Sequence, residues 1–141
     1  MTMLANLTVT TAQTAAVTPW LQMRDGTPES IALQANLTYG SGGTTISAWV
    51  QTSLDGGLTA IDVANFSFTT SSARVAMVVS ALTTVATPQA LTDGTLTANT
   101  AVGAPLGTHW RVKYTTTGTY AGSTTLRIDA TPNRGRLTSL T

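Results

Sequence analysis

The amino-acid sequence predicts an all-β protein: an antiparallel β-sandwich or jelly roll of about seven to nine strands, with no substantial helix. Three observations carry that prediction. Apolar residues recur with a period of two along most of the chain, the repeat of a half-buried strand. Threonine fills 31 of the 141 positions, and its branched Cβ favours a pleated strand over a helix. Glycine-rich, Asp-Gly and proline-containing turns punctuate the runs at roughly ten-residue spacing. The length suits one domain, and a chain of this size buries about two-thirds of its unfolded surface. A core therefore forms without covalent staples.

The elements follow in order. Leu7 and Val9, then Val17, Trp20 and Met23, suggest two strands, the second at an edge because it contains Pro19. Ile31, Leu33, Ala35, Leu37 and Tyr39 alternate with polar or small residues and end at the turn Gly40-Ser41-Gly42-Gly43. The next strand puts Ile46, Ala48 and Val50 on one face and Trp49 on the other, and closes at an Asp55-Gly56 turn. Ile61, Val63, Phe66 and Phe68 form a third run. Val75, Met77 and Val79 form a fourth, with Ala76 and Val78 on its other face, so this segment is expected to be buried on both sides.

Order then falls away. Thr83 to Leu106 reads as a long loop with one short strand near Thr95–Thr97. Trp110, Val112 and Tyr114 restore the alternation, and Leu126, Ile128 and Ala130 continue it after a turn at Gly118. These two runs are expected to pair as a hairpin, with Arg111 or Lys113 opposite Asp129. The expected organisation is a single β-sandwich domain over residues 1–131 whose first six residues form an N-terminal arm. A C-terminal tail or arm covers 132–141.

Charge is scarce. Six Arg, one Lys, five Asp and one Glu amount to 9% of the chain with a net charge of +1, against roughly 25% in a typical soluble domain. Natural β proteins guard exposed strand edges with charge, above all Lys, and this chain has only Lys113. Interface cores also lose Lys, Glu and Asp while keeping Arg and aromatics. The composition therefore implies a surface largely covered by neighbours, and a homo-oligomer.

Several classes are excluded. There is no cysteine, so no disulfide framework, thiolate metal site or thiol nucleophile is available. No apolar run approaches the roughly 18 residues of a membrane span. Met1 to Ala5 lacks the basic region and apolar stretch of a signal peptide, so synthesis in the cytoplasm is expected. No basic stripe suits nucleic acid. Neither nucleic acid nor a membrane is an expected partner.

Catalysis has little material. His109 is the sole histidine and reads as an exposed or interface imidazole. Asp25 with Glu29, and Asp55 with Asp62, are the only carboxylates close in sequence, and Asp at such places commonly holds turns. No loop offers the clustered oxygens of a calcium site, and Gly40–Gly43 lacks the strand-turn-helix setting of a phosphate loop. No catalytic, cofactor-binding or metal-binding residue is expected, and no cofactor.

Ser53, Asp55, Gly57 and Thr59 resemble the Asp-box of sialidase-type propellers, with Ala60 in place of its aromatic. In that family the box folds a hairpin turn away from catalysis, and a propeller needs repeated blades where this chain has one copy. Trp49 and Trp110 read as core residues. Trp20, beside Pro19, is a candidate partner contact. Arg134 and Arg136 are the others, as arm residues able to grip carboxylates bidentately.

The runs Ala48–Gly57, Ile61–Phe66 and His109–Tyr120 resemble small Thr-rich β proteins encoded among the structural genes of tailed bacteriophages. The resemblance implies a capsid decoration (cement) protein on the outer surface of the virion. It implies a non-enzymatic β-sandwich or jelly roll, often a homotrimer, that binds the major capsid protein lattice and stabilises contacts between capsomers. It carries over no contact residues. The alternative expectation is a tail or fibre β domain that recognises a host-surface glycan through Trp20 or Tyr120.

Overall fold

The computed structural model describes residues 1–24, 26–82, 84–103 and 105–133, and the backbone of 136–139. Among them the protein is all-β with antiparallel sheets packed face to face and no helix. Seven strands are long: β1 (Thr2–Thr8), β4 (Ser30–Thr38), β6 (Thr45–Ser53), β7 (Ile61–Phe68), β8 (Ala73–Ser80), β9 (His109–Thr117) and β11 (Thr125–Pro132). Five are short: β2 (Gln13–Val17), β3 (Leu21–Arg24), β5 (Ser41–Gly42), β10 (Tyr120–Ala121) and β12 (Arg136–Ser139).

One sheet has the order β1-β11-β4-β8. The other has the order β12-β3-β9-β6-β7, with β2 also on β9. The small ladder β5-β10 joins two turns. Alternation puts Ile31, Leu33, Ala35 and Leu37 of β4 against Ile46, Ala48 and Val50 of β6, all 0–1% exposed. Trp110 is fully buried, and its Nε1 donates to the carbonyl of Gly107 at 3.0 Å.

Register shifts occur in β1, β2 and β7, and those in the two long strands explain where the period of two slips. In β7 the register shifts between Val50 and Gln51 of its partner, so Val63 is the extra residue. Ile61 and then Ala64, Phe66 and Phe68 face inward, while Asp62 and Asn65 face out. In β1 the same happens at Leu4, and both Leu4 and Ala5 are buried. A bulge inserts one residue and moves everything beyond it to the other phase.

The structure corrects several expectations. β9 and β11 do not form a hairpin: β9 lies in one sheet and β11 in the other, and residues 118–124 cross between them. Lys113 pairs with Asp93 and Arg127 with Asp129, both at 2.9 Å, so neither Arg111 nor Lys113 opposes Asp129. The short strand near Thr95–Thr97 is absent, and the loop instead bonds to the edge of β7. β8 is a sheet edge rather than a strand buried on both sides, with Val75 41% and Val78 68% exposed. Residues 2–8 pair with β11 of the same chain instead of forming an arm, and 136–139 pair with β3.

Where two backbones touch, glycine is required. A Cβ at Gly107 would overlap the carbonyl oxygen of Ser53, and one at Gly40 would overlap that of Gly122. No helix among the described residues is long and apolar enough to cross a membrane.

Candidate interaction surfaces

The outer face of the β6–β9 sheet carries a continuous polar network. The ladder aligns Arg111, Gln51 and Asp62 across three strands. Arg111 Nε donates to Gln51 Oε1 at 2.9 Å, and Gln51 Nε2 donates to Asp62 (2.8 Å) and Asp93 (2.7 Å). Asp62, only 2% exposed, also accepts from Thr92 Oγ1 and from the backbone N–H groups of Gly94, Thr95 and Leu96. This carboxylate anchors the long loop rather than facing a substrate.

Electrostatics follow from that geometry. Burial pushes the Asp93 carboxyl up, but hydrogen bonds from Lys113 and Gln51 and the charges of Lys113 and Arg111 outweigh it and hold it below the ordinary range. Burial lowers the Arg111 guanidinium, opposed by the charge of Asp93. Asp55, the other candidate acid, accepts from the side chain and backbone of Thr59 and from Ser53 Oγ. Those bonds hold its carboxyl at about 2. The Asp-box residues thus build a turn.

Trp20 lies in the break between β2 and β3, half-buried. Arg111 stands over its ring at 4.3 Å from the centroid, and His109 meets it edge-on at 6.1 Å. His109 is itself buried, against the expectation of an exposed imidazole, and its Nδ1 shares a 2.9 Å hydrogen bond with Thr108 Oγ1. Trp49 is not between the sheets. It lies half-buried on the outer face beneath the loop, donating to the Leu96 carbonyl at 3.0 Å. Tyr120 is 2% exposed, and burial raises its phenol.

Asp25 and Arg134 lie outside the described residues, as does the side chain of Arg136, whose backbone sits opposite Arg24. The three candidate contacts are therefore not shown to converge on one site.

Sequence reasoning missed a different surface. Leu54 (54% exposed), Leu58 (87%), Val85 (38%) and Leu91 (57%) are large apolar side chains left open to solvent, and Leu54, Val85 and Leu91 come together at one groove. The groove, of about 480 Å³, is lined by Leu54, Val85, Pro88, Leu91 and Pro105 among others, without a charged side chain. The signal was present in the Asp-box: its hydrogen-bonding positions need Ser, Asp, Gly and Thr, and nothing in the turn requires leucine at 54 and 58. No family model, curated protein or solved structure matches the chain.

Proposed function

We propose that the protein is a non-enzymatic virion structural protein, a capsid decoration or cement protein that binds the outer surface of the head and stabilises contacts between capsomers. The observation that carries this reading is the apolar groove lined by Leu54, Val85, Pro88, Leu91 and Pro105, which has no charged side chain in its lining. Exposed apolar patches of this kind mark contact surfaces, and the chain has few charges with which to keep such a surface solvated. Repetition on a lattice then multiplies weak contacts through effective concentration. Asp55 and Asp62, one of the two carboxylate pairs close in sequence, are both committed to holding turns and loops.

The glycan-reading alternative draws less support. Arg111 occupies one face of Trp20, and Tyr120 is buried with its hydroxyl bonded to the Thr69 carbonyl at 2.8 Å. Electron microscopy of assembled particles tests the proposal. Density over the shell is the expected result, reduced to low occupancy by Leu91→Asp. Density confined to the tail would overturn it.

A further inference from the structure

We propose that the free edge of β8 is a self-association site, where a second copy of this chain adds its own β8 antiparallel across a twofold axis at Met77. This goes beyond the capsid reading and does not depend on it.

Among the described residues the sheet edges are managed differently, and the short β2, paired only with β9, carries a register shift between Gln13 and Ala16. β7 is covered by the long loop: Asp62 N–H donates to the Thr92 carbonyl, Asn65 N–H to Thr100, and Val102 N–H to Val63. β1 is kinked by its bulge at Leu4, a recognised protection against edge pairing. β12 is four residues long. Among the described residues β8 has none of these devices. It runs eight residues in unbroken register with β4, contains no proline, and carries one charge, Arg74. A long, regular, apolar and uncovered edge is a template for another strand.

The occupant follows from which groups point outward. Ala81 N–H donates to the Glu29 carbonyl, so the odd-numbered residues of β8 bond to β4. The antiparallel alternation then turns the backbone N–H and C=O groups of Arg74, Ala76, Val78 and Ser80 to the open side. Pairing about Met77 sets Arg74 opposite Ser80 of the second copy, and Ala76 opposite Val78, each pair exchanging two hydrogen bonds. This register engages all four outward residues. It also leaves the two Arg74 side chains about 20 Å apart, so the only charge on the strand does not repel itself.

The side chains match as well. On the inner face Met77 meets Met77 of the second copy, and Val75 meets Val79. They cap a groove of about 280 Å³ between β7 and β8, lined by Phe66, Phe68, Val75 and Met77 among others. A polar or acidic partner strand has no complementary charge here beyond Arg74. The strand is most complementary to itself. The resulting twofold differs from the threefold that the bacteriophage resemblance implies.

The test is sedimentation equilibrium of the purified chain at micromolar concentrations, with engineered variants. The wild type is expected at twice the mass of one chain. Met77→Cys introduces the only thiol and should form a disulfide across the axis, because facing residues of a non-hydrogen-bonded pair lie about 4.5 Å apart at Cα. Ser80→Cys, about 20 Å from its own copy, should stay reduced. Ala76→Pro removes an outward N–H without touching the β4 ladder and should give a monomer of unchanged circular dichroism. If that variant does not fold, Val78→Lys serves in its place. A monomeric or trimeric wild type, a dimer that survives these blocking variants, or a dimer in which Met77→Cys stays reduced would each overturn the proposal.

Discussion

The guanidinium of Arg111 lies 4.3 Å from the centre of the Trp20 ring while its Nε bonds to Gln51. One side chain therefore ties the break between β2 and β3 to β6 on the other side of β9. Cation–π contact contributes about 0.5–2 kcal/mol depending on desolvation, and a hydrogen bond about 1 kcal/mol more.

Arg111→Ala should accordingly lower stability by about 1–2 kcal/mol and shift tryptophan emission, as read by urea unfolding with fluorescence detection. Arg111→Lys should recover only part of the loss, since an ammonium does not combine stacking with a directed Nε bond.

Asp62→Ala should cost about 2–4 kcal/mol, because hydrogen bonds to a buried charge are among the stronger ones. Amide hydrogen exchange gives the sharper readout. Gly94, Thr95 and Leu96 donate to this carboxylate, so their protection should collapse while that of β9 persists.

Acid should act through the Asp55 turn. Its carboxyl is held at about 2 against an ordinary 3.8, so the folded state favours the ionised form. That contribution is complete above the ordinary value and is lost as pH falls from there toward about 2. Asp55→Asn should flatten the decline of melting temperature across this window. An unchanged slope would remove Asp55 as a source of acid sensitivity.

Gly107→Ala should destabilise the fold by about 3 kcal/mol, since the new methyl meets the Ser53 carbonyl on a strand that cannot retreat. Gly103→Ala has open space around it and no positive φ, and should remain within about 0.5 kcal/mol of wild type. Paired urea titrations distinguish steric contact from a general glycine effect.

Much of the fold was legible because alternation survives wherever one face is buried. β4 reads directly as Ile31, Leu33, Ala35 and Leu37, and those four line the core. What was not legible was pairing. Nothing in the composition of His109–Thr117 or Thr125–Pro132 says that they enter different sheets, since a short loop serves a hairpin or a crossing equally well. Apolar content on both faces of β8 suggested burial, but exposure depends on what lies beside a strand. Asp62 reads from sequence as an acid that holds a turn, but sequence does not reveal that the segment it holds is the long loop, through five donors gathered around its carboxylate.

The placement of β1 beside β11 has a consequence for biosynthesis. Thr8 lies opposite Thr125, and Leu7 opposite Leu126, so β1 waits for a partner made more than a hundred residues after it. At roughly 5–20 residues per second, that interval lasts several seconds on the ribosome, during which the apolar side of β1 has no sheet to join. Nascent chains must therefore be shielded until β11 emerges, and folding dominated by such distant pairings is slow once it starts.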